Sequence, residues 1–163
     1  MNDTKTTATE ENQNKVSISI EVQYATMCSD TPDKNKIINW AKHAITQNKN
    51  NRELTIRIVD EEEIQELNKR WRGIDESTNV LSFPAGDNEI APDYLGDIAI
   101  CAPVIISEAK AQNKKPDAHW AHMVIHGVLH LLGYDHTEDE DANIMESHEI
   151  NILRTLSFSN PYE

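Results

Sequence analysis

His126-Gly127-Val128-Leu129-His130-Leu131-Leu132-Gly133-Tyr134-Asp135-His136 is the stretch on which the reading of this chain turns. Two histidines four apart on a helix project from one face, one turn above the other. Gly133 follows three residues after the second and suits the left-handed turn that ends a helix. Three residues further on, His136 is placed to fold back toward the first two. Neutral imidazole is a common zinc ligand, and three protein ligands with one open position characterise a catalytic zinc site. The spacing therefore predicts a metal centre on His126, His130 and His136. A lone histidine on an apolar helix is more often a satisfied core residue, but three at these spacings with a turn glycine are hard to explain that way. Three nitrogen ligands suit zinc, and also copper, nickel or iron.

The helix carrying the first two histidines opens at Pro116 and runs from Asp117 to Leu132. It is apolar nearly all round, with Trp120, Met123, Val124, Ile125, Val128 and Leu129, which predicts a helix buried in the middle of a domain. His119, His122, His126 and His130 fall within an arc of about 80°. His119 lies about 10 Å along the axis from His126, too far to share a metal with it. His122 and His126 form a rival pair one turn earlier. Gly133 and His136 lie beside His130 and favour the later pair, leaving His122 as a supporting or core residue. The pattern H-x-x-x-H-x-x-G-x-x-H matches the metzincin proteases with one departure. Where those enzymes carry a glutamate general base, this chain has Gly127, which counts against ordinary peptidase chemistry.

Upstream, Val16 to Tyr24 alternates apolar and polar residues and predicts a strand with one buried face. Thr31-Pro32-Asp33 reads as a helix entry, and Ile37, Ile38, Trp40, Ala41, Ala44 and Ile45 then follow helical spacing. His43 in that helix has no partner motif and reads as structural. Leu54 to Val59 is a second strand. Asp60 with Glu63 then forms a near capping box for a helix through Ile64, Leu67 and Trp71 that ends at Arg72-Gly73. Asn79 to Phe83 and Leu95 to Cys101 are the third and fourth strands, joined by a long loop of the kind that is often functional. Ala102-Pro103 opens a helix to about Asn113. Thr137 and Glu140 form a T-x-x-E capping box for a last helix ending near Leu156, and its acidic run Glu138 to Asp141 suits the positive end of the dipole. These elements predict an α/β (α+β) fold, a four-stranded mixed, mostly parallel sheet with about five helices and a zincin-like metal helix on one face. Two crossover helices predict parallel pairing of the first three strands, with the fourth antiparallel at an edge. Edge strand and metal together would border a groove suited to an extended chain.

A chain of 163 residues with 38% apolar content predicts a single domain over residues 16–163. Met1 to Lys15, polar and almost free of large apolar side chains, reads as a disordered tail. No apolar run approaches a membrane span and no signal-peptide core is present, so no membrane association is expected. Cys28 and Cys101 are isolated, as free thiols of a cytoplasmic protein would be. A net charge of −13 argues against broad non-specific nucleic-acid binding. Any RNA contact must use local basic groups, either Lys69, Arg70 and Arg72 or Lys110, Lys114 and Lys115. The lysines read better as solvated helix ends.

H-G-V-L-H-L-L-G-Y-D-H, with T-N-V-L-S-F-P at Thr78 to Pro84 and L-G-D-I-A-I at Leu95 to Ile100, is similar to the YbeY family of bacterial single-strand endoribonucleases and rRNA maturation factors. The resemblance covers residue 16 to the end. It implies one zinc per chain on His126, His130 and His136, and a functionally important arginine at Arg72. It further implies cytoplasmic 16S rRNA 3′-end maturation and ribosome quality control, with single-stranded RNA, the ribosome or ribosome-associated proteins as partners. The corresponding chemistry is metal-assisted cleavage of a phosphodiester, zinc acidifying water or polarising a phosphoryl oxygen and Arg72 forking onto phosphate. No general base is identifiable. Asp97 and Asp135 stand equally as acceptors orienting the histidines or as ordinary strand-end and turn aspartates. The competing readings are a zinc metallopeptidase, disfavoured by the missing glutamate, and a zinc-stabilised ribosome-binding module, disfavoured by three ligands rather than four.

Overall fold

The computed structural model describes residues 16–46 and 48–163. The segment 1–15, expected as a disordered tail, lies outside them. In chain order the elements are β1 (Ile18–Ala25), α1 (Lys34–Ala44), β2 (Arg52–Val59), α2 (Glu61–Arg72), β3 (Val80–Pro84), β4 (Tyr94–Cys101), α3 (Ala102–Ala111), α4 (Pro116–Leu131) and α5 (Asp139–Thr155). The sheet order is β1-β2-β4-β3. β1, β2 and β4 run parallel, and β3 is antiparallel to β4 at the edge.

The mixed, mostly parallel sheet and its helices match the expected fold class, but the odd strand is β3 and not β4. The cause lies in the segment after α2. Gln65 Nε2 donates to the Asp75 carboxylate at 3.0 Å and Asn68 Nδ2 donates to the Glu76 carbonyl at 2.9 Å. The chain therefore doubles back along α2 before β3 begins. It enters the sheet beside the end of β4, where Cys101 N donates to the Asn79 carbonyl at 2.9 Å. The loop from Ala85 to Asp93 is too short for a crossover, so β3 and β4 pair as an antiparallel hairpin. Gly96 makes that pairing possible. It has φ +142°, and a Cβ there would sit 2.2 Å from the Phe83 carbonyl oxygen.

Strand alternation divides the core between the two sheet faces. Leu54, Ile56, Ile58, Ile98 and Ile100 face Ile37 and Trp40 of α1 and Trp120, Val124, Ile125 and Val128 of α4. Val59, Leu81, Ala99 and Cys101 face the other way, onto Ile64 of α2. α4 is buried on almost every side, as its composition requires. No helix among the described residues is long and apolar enough to cross a membrane.

Both expected capping boxes are absent. At α2 the Asp60 carboxylate takes Thr26 Oγ1 and, at 2.9 Å, the Met27 N–H instead, while Glu63 pairs with Arg57. At α5 the N-cap is Glu138, and the Thr137 hydroxyl donates to Asp135 at 3.2 Å. In each case a nearby partner outside the helix captures the capping side chain.

Candidate metal centre and its surroundings

α4 places His126 and His130 one turn apart on the face away from the sheet core. Their Nε2 atoms lie 3.2 Å apart. The helix closes where Gly133 adopts φ +102°, a conformation that strains any side chain. The Tyr134 N–H reaches back to the Leu129 carbonyl at 3.0 Å. Asp135 then shapes the return: its carboxylate accepts the His136 N–H at 2.7 Å and the Thr137 hydroxyl. This turn lays the His136 ring 4.9 Å from His130 and 5.4 Å from His126, centre to centre. One nitrogen from each histidine falls within 4.8 Å of the others. His126 and His130 are half-buried and His136 is exposed, so the cluster opens to solvent on one side.

The donor set fits a metal. At a Zn–N distance of 2.0–2.1 Å, tetrahedral ligand nitrogens lie about 3.3 Å apart, close to the observed His126–His130 separation. Burial, reinforced by His126 and His136, pushes the His130 pKa below its ordinary value and favours the neutral, ligating form. His126 is supported from behind, its Nδ1 lying 2.6 Å from Glu149 Oε1. A neutral imidazole donating there presents its Nε2 lone pair to the cluster.

Glu149 was not legible as a site residue. It is fully buried in α5, and its other oxygen lies 3.1 Å from His122 Nε2 and accepts the Tyr162 hydroxyl. Burial would raise its pKa, but the hydrogen bonds from His122, His126 and Tyr162 outweigh that and hold the carboxyl down at about 2. A signal existed: Met145, Glu149, Ile152 and Leu153 are the buried positions of α5, so a glutamate occupies a core position of an amphipathic stripe. Asp97 and Asp135 are not the carboxylates that orient the rings. Asp97 accepts the Tyr94 hydroxyl on the other sheet face, and Asp135 serves the turn.

Three of the remaining histidines have hydrogen-bond partners elsewhere, and the His148 ring lies 4.7 Å from that of Tyr134. His122 belongs to the Glu149 network and not to the cluster. His119 Nε2 lies 3.1 Å from Glu108 Oε1, and His43 Nδ1 lies 2.8 Å from the Asn39 carbonyl within α1. Gly127, which stands where a protease would carry its base, faces the sheet. A Cβ there would lie 3.0 Å from Ile98 Cγ2, and Ser82 Oγ donates to the Gly127 carbonyl at 2.9 Å. A glutamate at 127 would meet Ile98.

A cleft of about 400 Å³ runs beside the cluster, lined by His126, His136, Glu149 and Tyr162 and by Asn79 and Val80 at the start of the β3 edge. Arg72 is elsewhere. It lines a groove of about 940 Å³ on the α2 side of the sheet with Arg57, Trp71, Phe83 and Asp97. Trp71 is 63% exposed there and meets Phe83 edge to face. Arg57 is tied to Glu63 and Gln23, whereas Arg72 has no ion-pair partner among the described residues. Groove and cleft share no lining residue, but both touch β3, the cleft at Val80 and the groove at Ser82, Phe83 and Pro84. Lys114, one of the lysines read as a solvated helix end, donates to the Pro161 carbonyl at 3.0 Å.

Comparison with known proteins agrees with this architecture. The family model described as "Endoribonuclease YbeY" matches residues 7–157. A Coxiella burnetii protein named endoribonuclease YbeY is 50% identical over 153 residues, covering 90% of this chain and 99% of that protein. A solution structure from Thermotoga maritima shares the fold at a TM-score of 0.50 and 24% identity, covering 88% of this chain and 99% of the other. With three imidazoles gathered at the end of α4 and a family match over nearly the whole described chain, this protein belongs to the YbeY endoribonuclease family.

Proposed function

We propose that this protein is a zinc-dependent endoribonuclease that cuts single-stranded RNA, acting in the cytoplasm on ribosomal RNA during 16S 3′-end maturation and ribosome quality control, with the ribosome or its associated proteins as partners. Family membership supports the RNA substrate and the ribosomal setting. The observation that carries the chemistry is the convergence of His126, His130 and His136 beside an open cleft. One zinc per chain, held by these three residues, would supply Lewis-acid polarisation of a phosphoryl oxygen and acidify bound water.

The chain's own residues supply placement. His126, backed by Glu149, and His130, kept neutral by burial, hold their lone pairs on the cleft side. Arg72 grips a backbone phosphate of the bound strand through a forked hydrogen bond. Because Arg72 lies in the groove and not in the cleft, that phosphate is a neighbour of the one cleaved, on RNA running along β3. Exposed Trp71 offers a face for an unpaired base, a sequence-tolerant contact suited to single strands. Such local contacts are what a chain of net charge −13 needs to hold RNA. The peptidase reading lacks support: Gly127 provides no base and its site leaves no room for one.

The test is cleavage of single-stranded RNA by purified protein with zinc restored after chelation. Activity should return with zinc and be absent from a folded His130→Ala variant. Robust peptide hydrolysis, or RNA cleavage indifferent to chelation, would refute the proposal.

A further inference from the structure

Behind the histidine cluster lies a second layer of polar groups that reaches the C-terminal segment of the chain. A fully buried glutamate is costly unless its oxygens are matched by donors. Glu149 is matched completely, by His126 Nδ1 on Oε1 and by His122 Nε2 and the Tyr162 hydroxyl on Oε2. Tyr162 is carried there by residues beyond the family match, which ends at 157. The segment is pinned by Lys114 on the Pro161 carbonyl and by Asn160 Oδ1, which accepts the Tyr162 N–H at 2.8 Å.

The direction of these bonds distinguishes an orienting role from a tie between helices. α4 also has a tie of the simple kind, His119 with Glu108, whose histidine lies outside the cluster. In the Glu149 network the carboxylate meets the one nitrogen of His126 that does not face the cluster, so the proton resides on Nδ1 and the ligating nitrogen is left bare. A carboxylate behind a ligating histidine fixes its tautomer and ring angle and raises its basicity.

We propose that Glu149 is the positioning carboxylate of the metal centre, and that Tyr162, together with His122, latches it, so that the C-terminal segment forms part of the metal site. This rests on the metal reading of the three histidines. Glu149 fixes the His126 ring, Tyr162 fixes Glu149, and Lys114 anchors the segment that delivers Tyr162.

The test measures zinc affinity of the full chain by competition with a chelator, and the visible spectrum of the protein loaded with Co²⁺ in place of zinc. Glu149→Gln preserves shape and should weaken zinc binding about 10–100-fold and alter the Co²⁺ bands. Tyr162→Phe removes one hydroxyl and should weaken binding about fivefold, as loss of one hydrogen bond does. Glu108→Gln, which breaks the comparable pair with His119, should leave affinity and spectrum unchanged. Zinc affinity unaltered in Glu149→Gln overturns the proposal while the metal reading stands. Equal losses in Glu108→Gln and Glu149→Gln overturn it too, since general loosening of α4 would then be the cause. Should Glu149→Gln not fold, Tyr162→Phe decides: unchanged affinity and Co²⁺ spectrum overturn the latch. Wild-type protein that binds neither metal overturns the metal reading itself.

Discussion

Substitution at Gly127 tests the packing of α4 on the sheet, because two opposing effects can be weighed there. Alanine in a helix interior is favoured over glycine by about 1 kcal/mol. Against that, the new methyl would lie 3.0 and 3.2 Å from two carbons of Ile98 and 3.4 Å from Ser82 Oγ. Ile98 is 1% exposed, and as a β-branched residue it has little freedom to turn away. Overpacking of this kind costs about 1–3 kcal/mol. The balance is a net loss of up to about 2 kcal/mol, which in a domain of this size lowers Tm by about 2–4 °C per kcal/mol. Gly127→Glu goes further, since it drives a carboxylate with no partner into Ile98 and costs about 3–5 kcal/mol. Thermal melts followed by circular dichroism in the presence of chelator isolate these effects from any gain by metal binding. A Gly127→Ala protein stabilised by the full helix-propensity gain, or a Gly127→Glu protein with wild-type Tm, would refute the reasoning.

Four further outcomes are expected. His136→Ala should abolish stoichiometric zinc binding by the purified protein, and full metal content by elemental analysis would remove His136 from the ligand set. Arg72→Ala should reduce kcat/KM for single-stranded RNA about 10–100-fold, the loss expected for a hydrogen bond to a charged group, with zinc content intact; Arg72→Lys should recover little because the fork is lost. Gly96→Ala should destabilise by more than about 2 kcal/mol, as denaturant melts would show, since the new Cβ meets a backbone carbonyl and not a movable side chain. Burial pushes the Cys101 thiol up to about 11, so near pH 8 it should resist alkylation in the native protein while the more accessible Cys28 reacts. Above pH 9 the unfolded chain releases the Cys101 proton that the folded chain retains, so this group's contribution to stability falls as pH rises from about 9 to 11.

The features readable from sequence were those encoded by local periodicity. Alternation located the strands to within one or two residues, and the all-round apolar character of α4 announced its burial. The histidine spacing, with Gly133 as the helix terminator, located the triad because two of its members share a helix face and the third follows one turn later. Features set by distant partners were hidden. The reversal of β3 depends on Gln65 and Asn68 reaching for Asp75 and Glu76. The capping residues were drawn away by Thr26 and Asp135, and no helix-local rule includes those competitors. Glu149 looked like one acidic residue among many in α5, and its role emerges only when α4 and the C-terminal segment surround it. The separation of Arg72 from the cleft likewise follows from which sheet face α2 covers, and spacing along the chain does not record that.

The insertion of β4 between β2 and β3 also constrains how the molecule assembles. The β3–β4 hairpin closes over a short loop, so it can form early and locally, whereas pairing of β2 with β4 joins segments far apart in the chain and carries the larger loop-closure entropy. Completing the parallel half of the sheet therefore requires β4 to reach β2 across that longer separation. α4 rests on Ile98 of β4, the strand in which the parallel and antiparallel pairings meet. The histidine cluster therefore depends on the one strand that joins the hairpin to the parallel half of the sheet, and a chain in which β4 had not paired would present these histidines on a helix without a floor.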